Sequence, residues 1–221
     1  MPQHDLIIFD FDGTLADSFA WFWRVLPDVT AKFNLRPIDP ARRDTYREMP
    51  ARELMTLMGV RWWQAPGIAR YARQRMDAEV DTIALFDGVP VMLTQLRTAG
   101  LRLAVVSSNS EANVRRILGP SASHFDHFGC GAPVLGKKAR TLRALRSIGA
   151  SPARTLCIGD ELRDADVARD VGASFVPVAW GYTLPSAFRA AGLAEPFASP
   201  AQIAEYVAGG TQRLPASPAM G

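Results

Sequence analysis

Two aspartates one residue apart, Asp10 and Asp12, stand directly after the apolar run Leu6-Ile7-Ile8-Phe9, with Gly13-Thr14 behind them. Alternation along a strand and into its loop points both carboxylates in a similar direction. Such a pair suits two jobs. One carboxylate can attack phosphorus while holding a hard cation through oxygen. The other can hand a proton to a leaving group and later take one from water. Gly13 lets the chain turn away, and Thr14 is placed to tie that turn to the backbone. The same residues would also suit an acidic turn closing a strand, so the rest of the chain must decide.

Three later clusters bear on the choice. Leu103-Ala104-Val105-Val106 runs into Ser107-Ser108-Asn109, where a hydroxyl and nearby backbone N–H groups can bind phosphate oxygens. Thr155–Ile158 runs into Gly159-Asp160-Glu161, with Asp164 three residues further on. This acidic cluster suits a cation, although it equally suits the cap of a following helix. Gly136-Lys137-Lys138 supplies positive charge. Several negative charges meeting in one place require a fixed cation besides any metal. Either lysine meets that need.

The elements that must position these residues alternate. Leu6–Phe9, Leu101–Val106, Thr155–Ile158 and Ser174–Val178 are short apolar runs that end in polar or glycine-bearing turns, as strands buried on both faces do. Pro90–Ala99, closed by Gly100, and Asp164–Val171, closed by Gly172, have helical spacing and helical stop signals. Lys138–Ile148 does too, with Leu142, Leu145 and Ile148 on one side and Arg140, Arg143 and Arg146 on others. This alternation predicts an α/β fold, a Rossmann-like parallel sheet with helices on both faces.

The stretch from Ala16 to Leu85 has no strand run and reads as helices over Asp17–Phe33, Pro40–Met49, Pro50–Met58 and Ala65–Ile83. Asp17-Ser18 can cap the first, and Pro50 suits the first turn of the third. The expected organisation is a core of residues 1–15 and 86–208, an inserted all-α unit of 16–85, and a flexible tail of 209–221.

With these elements in view, Asp10-x-Asp12-Gly13-Thr14 after an N-terminal apolar strand resembles the haloacid dehalogenase superfamily, in its phosphatase branch with a helical cap. The resemblance covers roughly residues 5–16 and 86–182. It implies a Mg²⁺-dependent phosphatase acting on a small phosphorylated metabolite through an aspartyl-phosphate. Asp10 matches the nucleophile and Asp12 the acid/base, which also contributes its carbonyl to the metal. Asp160 matches a direct metal ligand and Asp164 a supporting or second one. Ser107 matches the phosphate-binding hydroxyl, with Ser108 beside it. Lys138 keeps a Lys-x-x-x-Leu spacing to Leu142 and is slightly favoured over Lys137, which keeps the Gly-Lys pair. In the helical insert, Arg47, Arg52, Glu53, Trp62 and Trp63 are candidates for substrate contact, although each suits a structural or solvated place better.

Other readings fare less well. A dehalogenase would lack Asp12, whereas a phosphomutase would share the aspartate pair. Gly131-x-x-x-x-Gly136-Lys137 approaches a nucleotide-binding loop but continues with Lys138, where Ser or Thr is needed, and shows no clear strand before it. The net charge of +3 would suit nucleic acid, yet clustered carboxylates repel a phosphodiester backbone. No nucleic-acid partner is therefore expected. Two cysteines, Cys130 and Cys157, make no metal-binding spacing and suggest a reducing compartment. No apolar stretch has spanning length, so no membrane partner is expected and the default location is cytoplasmic. The oligomeric state is not legible.

Overall fold

A computed structural model describes residues 4–131 and 136–209. Five parallel strands form one sheet in the order β3-β2-β1-β4-β5. They are β1 (Leu6–Phe9), β2 (Arg102–Val106), β3 (His127–Gly129), β4 (Thr155–Gly159) and β5 (Ser174–Pro177). β1 lies at the centre, with Phe9 opposite Val105 on one side and Ile158 on the other. Four of the strands coincide closely with the apolar runs. The fifth, β3, is short and half-exposed, so it carries no continuous apolar signal.

Residues of each strand alternate between two cores. Ile7, Phe9, Leu103, Val105, Leu156 and Ile158 face helices α5 (Val89–Thr98) and α10 (Pro200–Ala208), through Met92, Leu93, Leu96 and Ile203. Leu6, Ile8, Ala104, Val106 and Cys157 face α7 (Gly136–Ile148) and α8 (Leu162–Val171), through Ala144, Leu145, Ala168 and Val171. This two-sided burial is what makes the strands read as unbroken apolar runs.

The segment between β1 and α5 is helical: α1 (Phe19–Phe33), α2 (Arg43–Arg47), α3 (Ala51–Leu57) and α4 (Ala65–Glu79), with single 3₁₀ turns at Pro40–Arg42 and Val80–Thr82. It leaves and returns through paired backbone, Asp17 N–H donating to Ala84 O and Phe86 N–H to Leu15 O. Ser18 occupies the N-cap place of α1, but its side chain does not cap the helix as expected. Pro50 sits just outside α3 as its N-cap, one position earlier than expected. The remaining helices are α6 (Glu111–Leu118) and α9 (Pro185–Ala190). None of the helices described is long and apolar enough to cross a membrane. The expected tail beyond Gly209 lies outside the described residues.

Helix α7 corrects one expectation. Its buried stripe is Arg140, Thr141, Ala144 and Leu145, while Leu142 is 37% exposed. Lys137 shares that stripe, because positions 137, 141, 144, 145 and 148 fall on one face of a helix. Arg140 is turned inward to donate from Nη1 to Gly131 O at 3.2 Å.

Candidate active site

The carboxyl ends of β1, β2 and β4 converge, as the ligand-binding edge of an open parallel sheet requires. Asp10 follows β1 and is 8% exposed, its N–H donating to Ile158 O. Asp160 and Asp164, fully and almost fully buried, come from the end of β4 and the first turn of α8. One carboxylate oxygen from each of these three aspartates lies within 4.8 Å of the others. The Asp12 carboxylate does not belong to that group, so a share in a metal site through its side chain, as distinct from its carbonyl, is not what the geometry shows.

Lys137 closes the cluster. Its Nζ stands 2.8 Å from Asp10 Oδ2 and 2.6 Å from Asp164 Oδ1. Burial pulls its ammonium down, but Asp10 and Asp164 outweigh that and hold it above its ordinary value. The lean toward Lys138 is therefore reversed. Adjacent helical residues point about 100° apart, and Lys138 instead pairs with Asp170 on the exposed side at 2.9 Å. Lys137 also removes the nucleotide-loop reading of its segment, since carboxylates occupy it. A strand, β3, does precede Gly131, contrary to expectation, while residues 132–135 lie outside the described residues.

Asp160 is built in from several sides. Thr14 Oγ1 donates to its Oδ1 at 3.0 Å and Tyr182 N–H to its Oδ2 at 2.8 Å. Thr14 thus holds a carboxylate rather than its own turn. Burial, then the charges of Asp10, Glu161 and Asp164, hold the Asp160 carboxyl well above the usual carboxylate range. Burial does the same to Asp164, opposed by Lys137. Asp164 also closes a capping box with Glu161, the helix-capping use expected of this acidic cluster. Gly13, at φ +81°, and Gly181 let backbone approach: a Cβ would fall 2.2 Å from Asp160 Oδ2 at the first and 2.1 Å from Asp160 Cβ at the second.

Asp12 is distinct. Its Oδ1 is buried with no hydrogen-bond partner, while Asn109 Nδ2 lies 3.5 Å from its Oδ2. Burial first, and the Asp10 charge second, push its carboxyl up to about 6, against smaller opposing pulls from the Ser18 and Asn109 side chains and the Lys137 charge. A carboxyl so placed can hold a proton near neutrality and give it up. Ser107 is buried after β2, and its Oγ accepts from Asn109 N–H at 3.0 Å, leaving its own hydrogen to donate. Ser108 is exposed beside it.

Arg47 of the helical insert reaches this site. Arg47 donates to Gly181 O at 2.6 Å and to Tyr182 O at 3.2 Å, clasping the turn that carries Asp160's donor. Ser18 Oγ and Tyr182 OH lie 3.1 Å apart, beneath Phe19 and Phe22. Arg52 and Glu53 are exposed, and Trp62 and Trp63 are 82% and 57% exposed. Sequence reasoning missed Tyr182 and Thr14 as partners of Asp160. The one signal was the position of Trp180-Gly181-Tyr182 beyond a fourth strand end.

The fold agrees with comparisons to known proteins. Residues 7–178 match the family model described as haloacid dehalogenase-like hydrolase. The chain belongs to that family, on its phosphatase branch. It is similar to the phosphoglycolate phosphatase of Synechococcus elongatus, at 33% identity over 80% of this chain and 84% of that one. It also shares 33% identity with the tyrosine-protein kinase PtkA of Mycobacterium tuberculosis, over 82% of this chain but 63% of that one. A haloacid dehalogenase-like hydrolase from Streptococcus pneumoniae shares the fold, with a TM-score of 0.76 at 18% identity over 92% of this chain and 98% of that one.

Proposed function

We propose that the protein hydrolyses small phosphomonoesters, with Asp10 as the nucleophile. The observation that carries this is the contrast between two neighbouring carboxylates. Asp10 is ion-paired to Lys137, and Asp12 presents a buried, unpartnered oxygen on the same loop. One is paired with a cation and the other is suited to carry a proton.

The residues fit a hard divalent cation. Asp10, Asp160 and Asp164 offer only oxygen, and their mutual repulsion is answered in part by the Lys137 ammonium, with the Arg163 charge also acting on Asp164. When bound, Mg²⁺ would draw charge from the phosphoryl oxygens. The chain's own residues do the rest. An Asp10 oxygen attacks phosphorus and the bond to the ester oxygen breaks, leaving an aspartyl-phosphate. Asp12 gives its proton to the departing oxygen. It then takes a proton from water as that water attacks the same phosphorus, and Asp10 is released with inorganic phosphate. Lys137 and the Ser107 hydroxyl hold the phosphoryl oxygens, spreading the charge that develops. Residues 16–85 act as a cap that selects the leaving group and excludes bulk water.

Phosphoglycolate heads the candidate substrates, because relatives from Synechococcus elongatus, Caulobacter vibrioides and Aquifex aeolicus are named for it. Transfer to a hydroxyl instead of water is the second reading, as in a phosphomutase, favoured by the relative named as a kinase. Phosphate release should be measured from a phosphomonoester panel, with Mg²⁺ and with chelator, for wild type and Asp10→Asn. Metal-dependent release lost in the variant supports hydrolysis through Asp10. Substantial turnover by Asp10→Asn would refute it, and label passing to a second substrate rather than to water would favour transfer.

A further inference from the structure

Helix α6 and the turn before it carry an amide chain that links the insert to Asp12. Asn109 and Asn113 are buried, at 3% and 6% exposure. Asn109 Oδ1 accepts from Ser110 N–H at 2.8 Å and from Asn113 Nδ2 at 3.2 Å. Two donors on that atom fix which way the amide points. Its Nδ2 must then face Asp12 Oδ2, with Met76 Sδ of α4 on the other side. The second hydrogen of Asn113 Nδ2 goes to Asp77 Oδ1, also on α4, at 2.5 Å. One turn further along α6, Arg116 pairs with Asp81 in the 3₁₀ turn after α4.

We propose that Asn109 and Asn113 are positioning residues through which the docking of α4 on α6 orients Asp12. The chain Asp77–Asn113–Asn109 aims Nδ2 at Oδ2 of Asp12 from 3.5 Å, and Oδ1, buried without a hydrogen bond, is the oxygen that exchanges the proton. Separation of α4 from α6 removes the acceptor that orients Asn113, and Asp12 loses its fixed direction. Proton transfer to the leaving group is thereby tied to a closed insert. This rests on the reading of Asp12 as the proton carrier.

A polar seam with no such role would also lose stability when cut, so the test must read proton transfer. Single-turnover release of the leaving group isolates the first step. It should be measured for an alkyl phosphate, whose alkoxide needs a proton, and for p-nitrophenyl phosphate, whose phenolate departs without one. Asp77→Ala and Asn113→Ala should each slow alkyl release by about tenfold or more and aryl release far less. The double variant should be no slower than either single, because one chain is being cut twice. Asp77→Asn, which keeps an acceptor oxygen, should restore alkyl release to within about twofold of wild type. Equal losses on both esters, additive losses in the double variant, or no rescue by Asp77→Asn would overturn the inference while leaving the phosphatase reading intact. Failure of the wild type to release either leaving group would defeat that reading, and this role for Asp12 with it.

Discussion

Lys137 Nζ bridges Asp10 and Asp164 at 2.8 and 2.6 Å, joining the residue after the central strand to the first turn of α8. A single ammonium therefore balances two buried carboxylates that belong to different elements. Its neighbour Lys138 is half-exposed and pairs with Asp170. The two lysines should separate cleanly on mutation. Lys137→Ala should lower kcat by about 10²–10³, the usual loss for one fixed charge-stabilising donor. Lys138→Ala should leave kcat within about twofold, since exposed ion pairs contribute little. Steady-state kinetics of the pair decide it, and equal losses would contradict the placement of Lys137.

Why the sequence leaned slightly to Lys138, while the buried ion pairs fall to Lys137, is a matter of helical phase. Lys138 and Leu142 share a face, but Leu142 is 37% exposed, so that face is the outer one. Arginines interleave with leucines along α7, and composition alone cannot say which stripe is buried. The positions of Asp10, Asp12 and Asp160 were legible for the opposite reason. Each stands just beyond an apolar run long enough to be a central strand, and a strand end has only one place in a parallel sheet, with Asp164 following in the first turn of the next helix. Thr14 and Tyr182 were not, because their use depends on contacts across 146 and 22 residues of chain. The short strand β3 escaped notice because only Gly129 within it is buried.

Gly181 should tolerate no side chain. A Cβ there would meet Asp160 Cβ at 2.1 Å and Gly13 O at 2.6 Å, both parts of the site's wall. Overpacking of this kind costs about 1–3 kcal/mol in stability. The shift forced on Asp160 is more damaging to function, since a displacement near 1 Å can cost about 10² in rate. Gly181→Ala should therefore lose much more activity than its unfolding midpoint would suggest. A fully active, folded variant would show that this turn can give way.

Cation binding should be visible without any substrate. Asp10, Asp160 and Asp164 crowd their oxygens within 4.8 Å, and burial raises the Asp160 and Asp164 carboxyls. A divalent cation that binds only the folded chain stabilises it by about 2.7 kcal/mol at a hundredfold excess over Kd. Thermal unfolding with added Mg²⁺ should show a concentration-dependent rise, removed by chelator and abolished by Asp160→Asn. An identical rise in Asp160→Asn would place the cation elsewhere.

His4 should make the fold acid-sensitive. It is 5% exposed, stacks on Tyr206 at 6.3 Å between ring centroids, and neither ring nitrogen has a hydrogen-bond partner. Burial first, and the Arg154 charge second, hold its pKa below the ordinary 6.5, against a smaller opposing pull from Asp5. The unfolded chain thus takes up a proton at a higher pH than the folded one. The contribution to stability is complete above about pH 6.5 and is lost as pH falls toward the folded-state value, by at most about 1.4 kcal/mol per pH unit. His4→Phe keeps an aromatic ring against Tyr206 but cannot titrate. Urea unfolding at pH 7.5 and 5.5 should show wild type losing more stability than His4→Phe. The active-site carboxyls, raised by burial, pull the other way in both proteins, so only the difference between them reports on His4. Parallel losses would mean that the imidazole finds a partner or solvent on protonation, and that its burial exacts no acid penalty.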